Sequence, residues 1–250
     1  MYQTLSSRLQ AGIISSRRRF LAGAGSAFAL APAGVFSLQL GDPAQGALTK
    51  EQRDRMSPAD VIEQLKKGNQ RFREGKMVSR NYVKEQQSSA AGQYPAAVVL
   101  GCVDSRVPAE IVFDTGIGDT FNARIAGNVA NDDLLGSMEF ACAVAGAKVV
   151  LVLGHTACGA VKGAIDDVVL GNLTGLLARI KPAIPATKFD GDKTSKNPAY
   201  VDAVARTNVH LSLEYIRQRS QVLAELEKKG SIRITGAMYD LATGTTEFHG

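Results

Sequence analysis

The chain has 250 residues, 45% of them apolar, with 29 Lys and Arg against 24 Asp and Glu for a net charge of +5, three cysteines and no tryptophan. Arg8, Arg17, Arg18 and Arg19 against Asp42 put +3 into residues 1–47 and leave +2 for the remainder, too small a basic excess to argue for a nucleic-acid partner. There is no glycine-rich phosphate loop, repeat or coiled-coil run, and the 200 or so residues beyond position 47 suit one domain with a sizeable core.

The first segment differs from the rest. Ser16-Arg17-Arg18-Arg19-Phe20-Leu21 precedes a charge-free run, rich in alanine and glycine, that extends to Leu40. Residues 1–47 therefore read as an export signal and linker that engages the twin-arginine export machinery, with small-residue cleavage candidates near Ala31 and Ala33. A membrane anchor is the alternative, weakened by the glycines and Pro32. The expected location is periplasmic or otherwise extracytoplasmic, and residues 48–250 are the folded domain.

Ser57-Pro58 reads as an N-cap and first helical residue, and residues 59–72 continue as an amphipathic helix marked by Val61, Ile62, Leu65 and Phe72. Residues 96–101 are short and apolar throughout, as a buried parallel strand is, and end at Cys102. Residues 113–119 carry glycines suited to a turn-rich crossing. Helical periodicity resumes over residues 134–145, where Cys142 packs as a small apolar side chain. A second apolar strand, residues 148–153, ends at Gly154-His155. Cys158 follows where a helix opens, predicted over residues 159–169, with another over 174–180. Residues 182–198, rich in Pro, Lys, Asp and Gly, read as an exposed connection. One long helix is predicted over 201–227, carrying His210, then a strand over 232–235, with His249 in the tail. Strands alternating with helices give an α/β fold with a parallel core.

In such open sheets, ligands gather beyond the carboxyl ends of strands, which makes Cys102 and His155 neighbours. A helix N-terminus at Cys158 favours a thiolate. Two sulfurs and one imidazole fill three positions of a tetrahedral zinc and leave the fourth for water, the pattern of a catalytic rather than a structural site. Asp104 and Arg106, two and four residues past Cys102, supply a carboxylate already paired with a guanidinium. A redox disulfide between Cys102 and Cys158 is the competing reading.

The segments Cys102-Val103-Asp104-Ser105-Arg106-Val107-Pro108-Ala109-Glu110 and Gly154-His155-Thr156-Ala157-Cys158-Gly159-Ala160-Val161 resemble the two signatures of the β-class carbonic anhydrases. Segments 68–72, 113–119, 126–130 and 236–244 resemble that family in its order, so the likeness runs from about residue 57 to the end. The resemblance implies a β-carbonic anhydrase-like fold, a central mainly parallel sheet flanked by helices with an N-terminal helical arm that reaches a neighbouring subunit. It also implies one zinc per subunit on Cys102, His155 and Cys158, and reversible hydration of carbon dioxide to bicarbonate and a proton by zinc-bound hydroxide.

By the same likeness, Asp104 and Arg106 form the catalytic dyad, with Asp104 a fourth zinc ligand in a closed state. Gln93 hydrogen-bonds substrate, Gly159 offers a backbone donor, and Phe121 and Ala126 line an apolar cleft across a subunit boundary, in a homodimer or homotetramer. Val103 and Ile125 depart from the family's usual serine and asparagine. Val99 replaces a tryptophan that helps build a bicarbonate effector pocket in some relatives, so none is expected here. Hydrolysis of carbonyl sulfide or carbon disulfide on the same fold, and non-catalytic zinc or bicarbonate binding, are the alternative functions.

Overall fold

Two apolar runs form the spine of a five-stranded sheet. In the computed structural model, which describes residues 46–249, β1 (Ala97–Gly101) lies parallel to β2 (Thr120–Arg124) on one side and to β3 (Val149–His155) on the other. β4 (Arg233–Tyr239) continues parallel to β3, and β5 (Thr246–His249) closes the edge antiparallel, for the order β2-β1-β3-β4-β5. This is the mainly parallel α/β architecture that the sequence predicts. Val98, Leu100, Val150 and Val152 enter one core, while Ala97, Val99, Val149, Leu151 and Leu153 enter the other. Both faces are covered, so these strands are apolar at every position.

In chain order, the helices of the described residues are α1 (Lys50–Arg55), α2 (Pro58–Arg73), α3 (Tyr82–Ser89), α4 (Ala109–Val112), α5 (Asp132–Glu139), α6 (Gly159–Ile165), α7 (Gly171–Leu177), α8 (Ala183–Ala186), α9 (Pro198–Arg219) and α10 (Gln221–Lys228). The start of α2 is fixed as predicted: Ser57 Oγ accepts the Asp60 N–H at 3.2 Å, and the Asp60 carboxylate accepts the Ser57 N–H at 2.9 Å. Its Val61, Ile62 and Leu65 share a core with Val99, Phe113 and Leu151. On the opposite face, α6 and α9 bury Val161, Val201, Val204 and Val209 against Val150 and Val152.

Several boundaries differ from the sequence reading. The helix predicted over 134–145 starts at Asp132, because Asn131 Oδ1 accepts the Leu134 N–H at 2.9 Å, and widens into a π turn over Phe140–Val144. The helix predicted to residue 169 stops at Ile165, where Asp167 turns to φ 53° and the Val168 N–H returns to the Gly163 carbonyl at 3.0 Å. The helix predicted over 201–227 breaks at Ser220, whose Oγ accepts the Leu223 N–H at 3.1 Å and so caps α10. The 182–198 connection holds α8, a buried Thr187, and Phe189 packed against Tyr200 at 5.3 Å between centroids. His249 is not a free tail residue: it ends β5 and faces His210 at 5.8 Å.

The export signal read in residues 1–47 lies outside the described residues, apart from Gly46 and Ala47. Among the described residues, no helix is long and apolar enough to cross a membrane.

Candidate metal centre

The carboxyl edge of the sheet assembles the site. Gly101 is level with Leu153 across the β1–β3 pair, so Cys102, just past β1, stands beside the end of β3, where His155 is the last residue. Cys158 follows three residues on as the N-cap of α6. The ligand atoms of Cys102, His155 and Cys158 all lie within 4.8 Å of one another, and all three residues are buried.

The imidazole is oriented for a metal. His155 Nδ1 lies 2.9 Å from the Thr156 carbonyl, to which it donates, leaving the Nε2 lone pair free to ligate. Nε2 is buried with no hydrogen-bond partner, an orphan that a cation would satisfy. The two thiols are driven in opposite directions. The hydrogen bond from Cys158, aided by His155 and the Gly127 N–H at 3.3 Å from Sγ, lowers Cys102 to about 4 against the opposing effect of burial. Cys158 is pushed up by that same bond and by burial. Burial drives His155 down, yet the Cys102 thiolate, the Thr156 carbonyl and Asp104 outweigh it and raise it net. Two sulfurs and a nitrogen around an unsatisfied buried lone pair fit zinc, which Cys102, His155 and Cys158 would hold with both sulfurs as thiolates.

Asp104 stands at the rim and belongs to Arg106. Arg106 Nε and Nη2 donate to its two oxygens at 2.9 and 2.7 Å, and the Arg106 backbone N–H adds a third bond at 3.0 Å. That fork holds the carboxyl well below the usual carboxylate range. Asp104 Oδ2 lies 3.9 Å from His155 Nε2, and the close metal-ligating group consists of the two cysteines and His155.

Ala126 begins the 3-10 turn Ala126–Asn128, whose Gly127 contacts Cys102, and Gly159 opens α6, exposed, with open space where a Cβ would stand. Gln93 and Phe121 are not brought to the cluster by this chain. Gln93 is exposed in the segment before β1, and Phe121 pairs with Val98 near the start of that strand, whereas Cys102 follows its far end. Phe121 instead meets the exposed Phe140 edge-on, at 6.1 Å, in an open groove of about 670 Å³ on the β2 edge.

Sequence reasoning missed two supports. Arg124, at the end of β2, donates to the carbonyls of Cys102 and Asp104 at 2.8 and 2.5 Å, clamping the signature loop. Asp202, on α9, accepts the Ala157 N–H at 2.8 Å. Both partnerships join distant segments, and no local pattern announces them.

Fold and ligand set together define a metalloenzyme built at the carboxyl edge of a mainly parallel α/β sheet. The carbonic anhydrase family profile matches residues 97–246. "Carbonic anhydrase 2" of Mycobacterium tuberculosis is 37% identical over 194 residues, covering 75% of this chain and 91% of that protein. Among solved structures, the β-carbonic anhydrase CafA of Aspergillus fumigatus superposes with a TM-score of 0.59 at 24% identity, over 76% of this chain and 89% of that one. A tetrameric β-carbonic anhydrase of Sordaria macrospora gives 0.58 at 23%, over 66% and 85%. The chain belongs to the carbonic anhydrase family and has the β-class fold.

Proposed function

We propose that the protein is a zinc-dependent carbonic anhydrase that reversibly hydrates carbon dioxide to bicarbonate and a proton. The observation that carries this is the buried Cys102, His155 and Cys158 group with an unpartnered imidazole nitrogen, beside an Asp104–Arg106 fork. Zinc held by those three residues supplies a Lewis acid that brings the pKa of water toward ~7.

The chain's own groups do the positioning. Asp104, kept ionised by Arg106, accepts a hydrogen bond from the attacking water and aims its lone pair at the substrate carbon. The Arg106 fork on both carboxylate oxygens supports a role for Asp104 as an oriented acceptor rather than a metal ligand. The Gly159 N–H donates to the oxygen that gains charge. Ala126 contributes apolar wall, suited to a substrate without charge. Bicarbonate leaves toward the open rim, where Arg106 is exposed.

Gln93 and Phe121 enter through a second copy. We infer a homodimer or homotetramer in which the β2 edge of one subunit brings Phe121, and the exposed segment before β1 brings Gln93, to a neighbour's metal centre. The Phe121–Phe140 groove on an open sheet edge supports this. A Phe121→Ala variant that stays fully active as a monomer would refute it.

Residues 1–47 we assign as the twin-arginine signal that carries the enzyme to the periplasm, on the strength of Arg17, Arg18 and the apolar run behind them. Retained export after both arginines are changed to lysine would count against it.

Stopped-flow carbon dioxide hydration by the zinc-loaded protein at pH ~7 and ~8.5 tests the main reading. Activity at both values is expected. Activity only at the higher value would place Asp104 on the metal at neutral pH. Absence at both, with zinc verified, would overturn carbon dioxide as substrate.

A further inference from the structure

The loop between His155 and Cys158 keeps one residue in a conformation alanine disfavours. Ala157 sits at φ 53°, the left-handed region, where the Cβ of an L-residue crowds the backbone. Its surroundings must therefore hold it there. On one side, the Thr156 N–H donates to the Tyr239 carbonyl at 3.0 Å and Thr156 Oγ1 accepts the Leu241 N–H at 3.0 Å. On the other, Cys158 is buried at the N-cap position of α6. Ala157 itself is held by its own N–H, donated to Asp202 Oδ1 at 2.8 Å. Asp202 rides on α9 among Tyr200, Val201, Val204 and Ala205, all buried, so the acceptor is fixed to a helix locked against the sheet.

We propose that Asp202 is a positioning residue for the metal: by accepting the Ala157 N–H it holds the ligand loop in its left-handed turn and sets Cys158 against Cys102 and His155. This rests on the metal reading of those three residues. The geometry uses an acceptor oxygen rather than a charge, so asparagine substitutes for Asp202. Glycine adopts positive φ freely, so an Ala157→Gly change relieves the need for the acceptor.

The test follows zinc passing from the loaded full-length protein to a chromogenic chelator in wild type, D202N, D202A, A157G and A157G/D202A. The absorption spectrum of the cobalt-substituted proteins provides a second readout, and neither depends on turnover. Loss of a hydrogen bond to a carboxylate is expected to speed zinc release from D202A about tenfold, with D202N within about twofold of wild type. The cobalt spectrum of D202A shifts, and A157G/D202A returns toward wild type in both readouts.

Zinc release from D202A at the wild-type rate, D202N as fast as D202A, or a double variant no slower than D202A would each overturn the proposal. Should D202A not fold, the double variant decides: folded and zinc-retaining it supports the assignment, unfolded it defeats it. A wild-type protein that takes up no zinc overturns the metal reading itself, before any variant is compared.

Discussion

Replacing Gly127 with alanine strikes the fold and the metal centre at one position. Gly127 has φ +70°, and a Cβ there would overlap Ile180 Cδ1, with Ile180 Cγ1 at 3.3 Å and Ala160 Cβ at 3.4 Å. Ile180 is fully buried, so it has little room to yield. The left-handed conformation costs a non-glycine residue about 1–2 kcal/mol, and overpacking of a filled core adds about 1–3 kcal/mol. The total, roughly 2–5 kcal/mol, is a large part of the 5–15 kcal/mol typical of a domain, yet G127A should still fold. Relief of the overlap must shift the backbone that donates to Cys102 Sγ at 3.3 Å. Zinc affinity is therefore expected to drop about 10–100-fold, as when other supports of metal ligands are removed. Urea unfolding of the stripped protein and zinc competition with a chelator measure the two effects separately. An unfolding midpoint and a zinc affinity both equal to wild type would refute the reasoning.

Asp104→Ala should retain zinc, since Asp104 lies outside the ligand group, while kcat falls about 10²–10⁴-fold with loss of the orienting acceptor; undiminished turnover would remove Asp104 from the mechanism. In zinc-stripped protein, Cys102 is lowered to about 4, so its thiolate is fully present above that value. Its alkylation rate should be flat between pH 6 and 8, where an ordinary thiol gains about tenfold per pH unit. Burial raises Cys142 to about 12, so it should stay unlabelled throughout that range; mass spectrometry of the labelled peptides checks both.

The parts legible in the sequence are those whose cause is local. The β1 and β3 runs are apolar because helices cover both faces, and each delivers its ligand at the carboxyl end, so Cys102, His155 and Cys158 were identifiable from strand pattern and ligand chemistry. The start of α2 was equally plain, since Ser57, Pro58 and Asp60 encode a capping box within four residues. β2 is not legible in the sequence because Thr120–Arg124 lies on the sheet edge with Asn122 and Arg124 exposed, which dilutes its apolar signal. Ser220 hid the break between α9 and α10 because the apolar period runs through it. Arg124 and Asp202 were invisible for another reason: each meets its target across 20 or more residues, and such pairing exists only once the sheet is built.

Zinc titrated into the stripped protein, with carbon dioxide hydration followed at each addition in wild type and Cys158→Ser, tests the central claim most directly. Turnover in wild type should rise linearly and break at one zinc per chain, while Cys158→Ser, lacking one sulfur ligand, holds no stoichiometric zinc and stays inactive. Hydration by the zinc-free protein, or full zinc occupancy of wild type without hydration, would contradict the account.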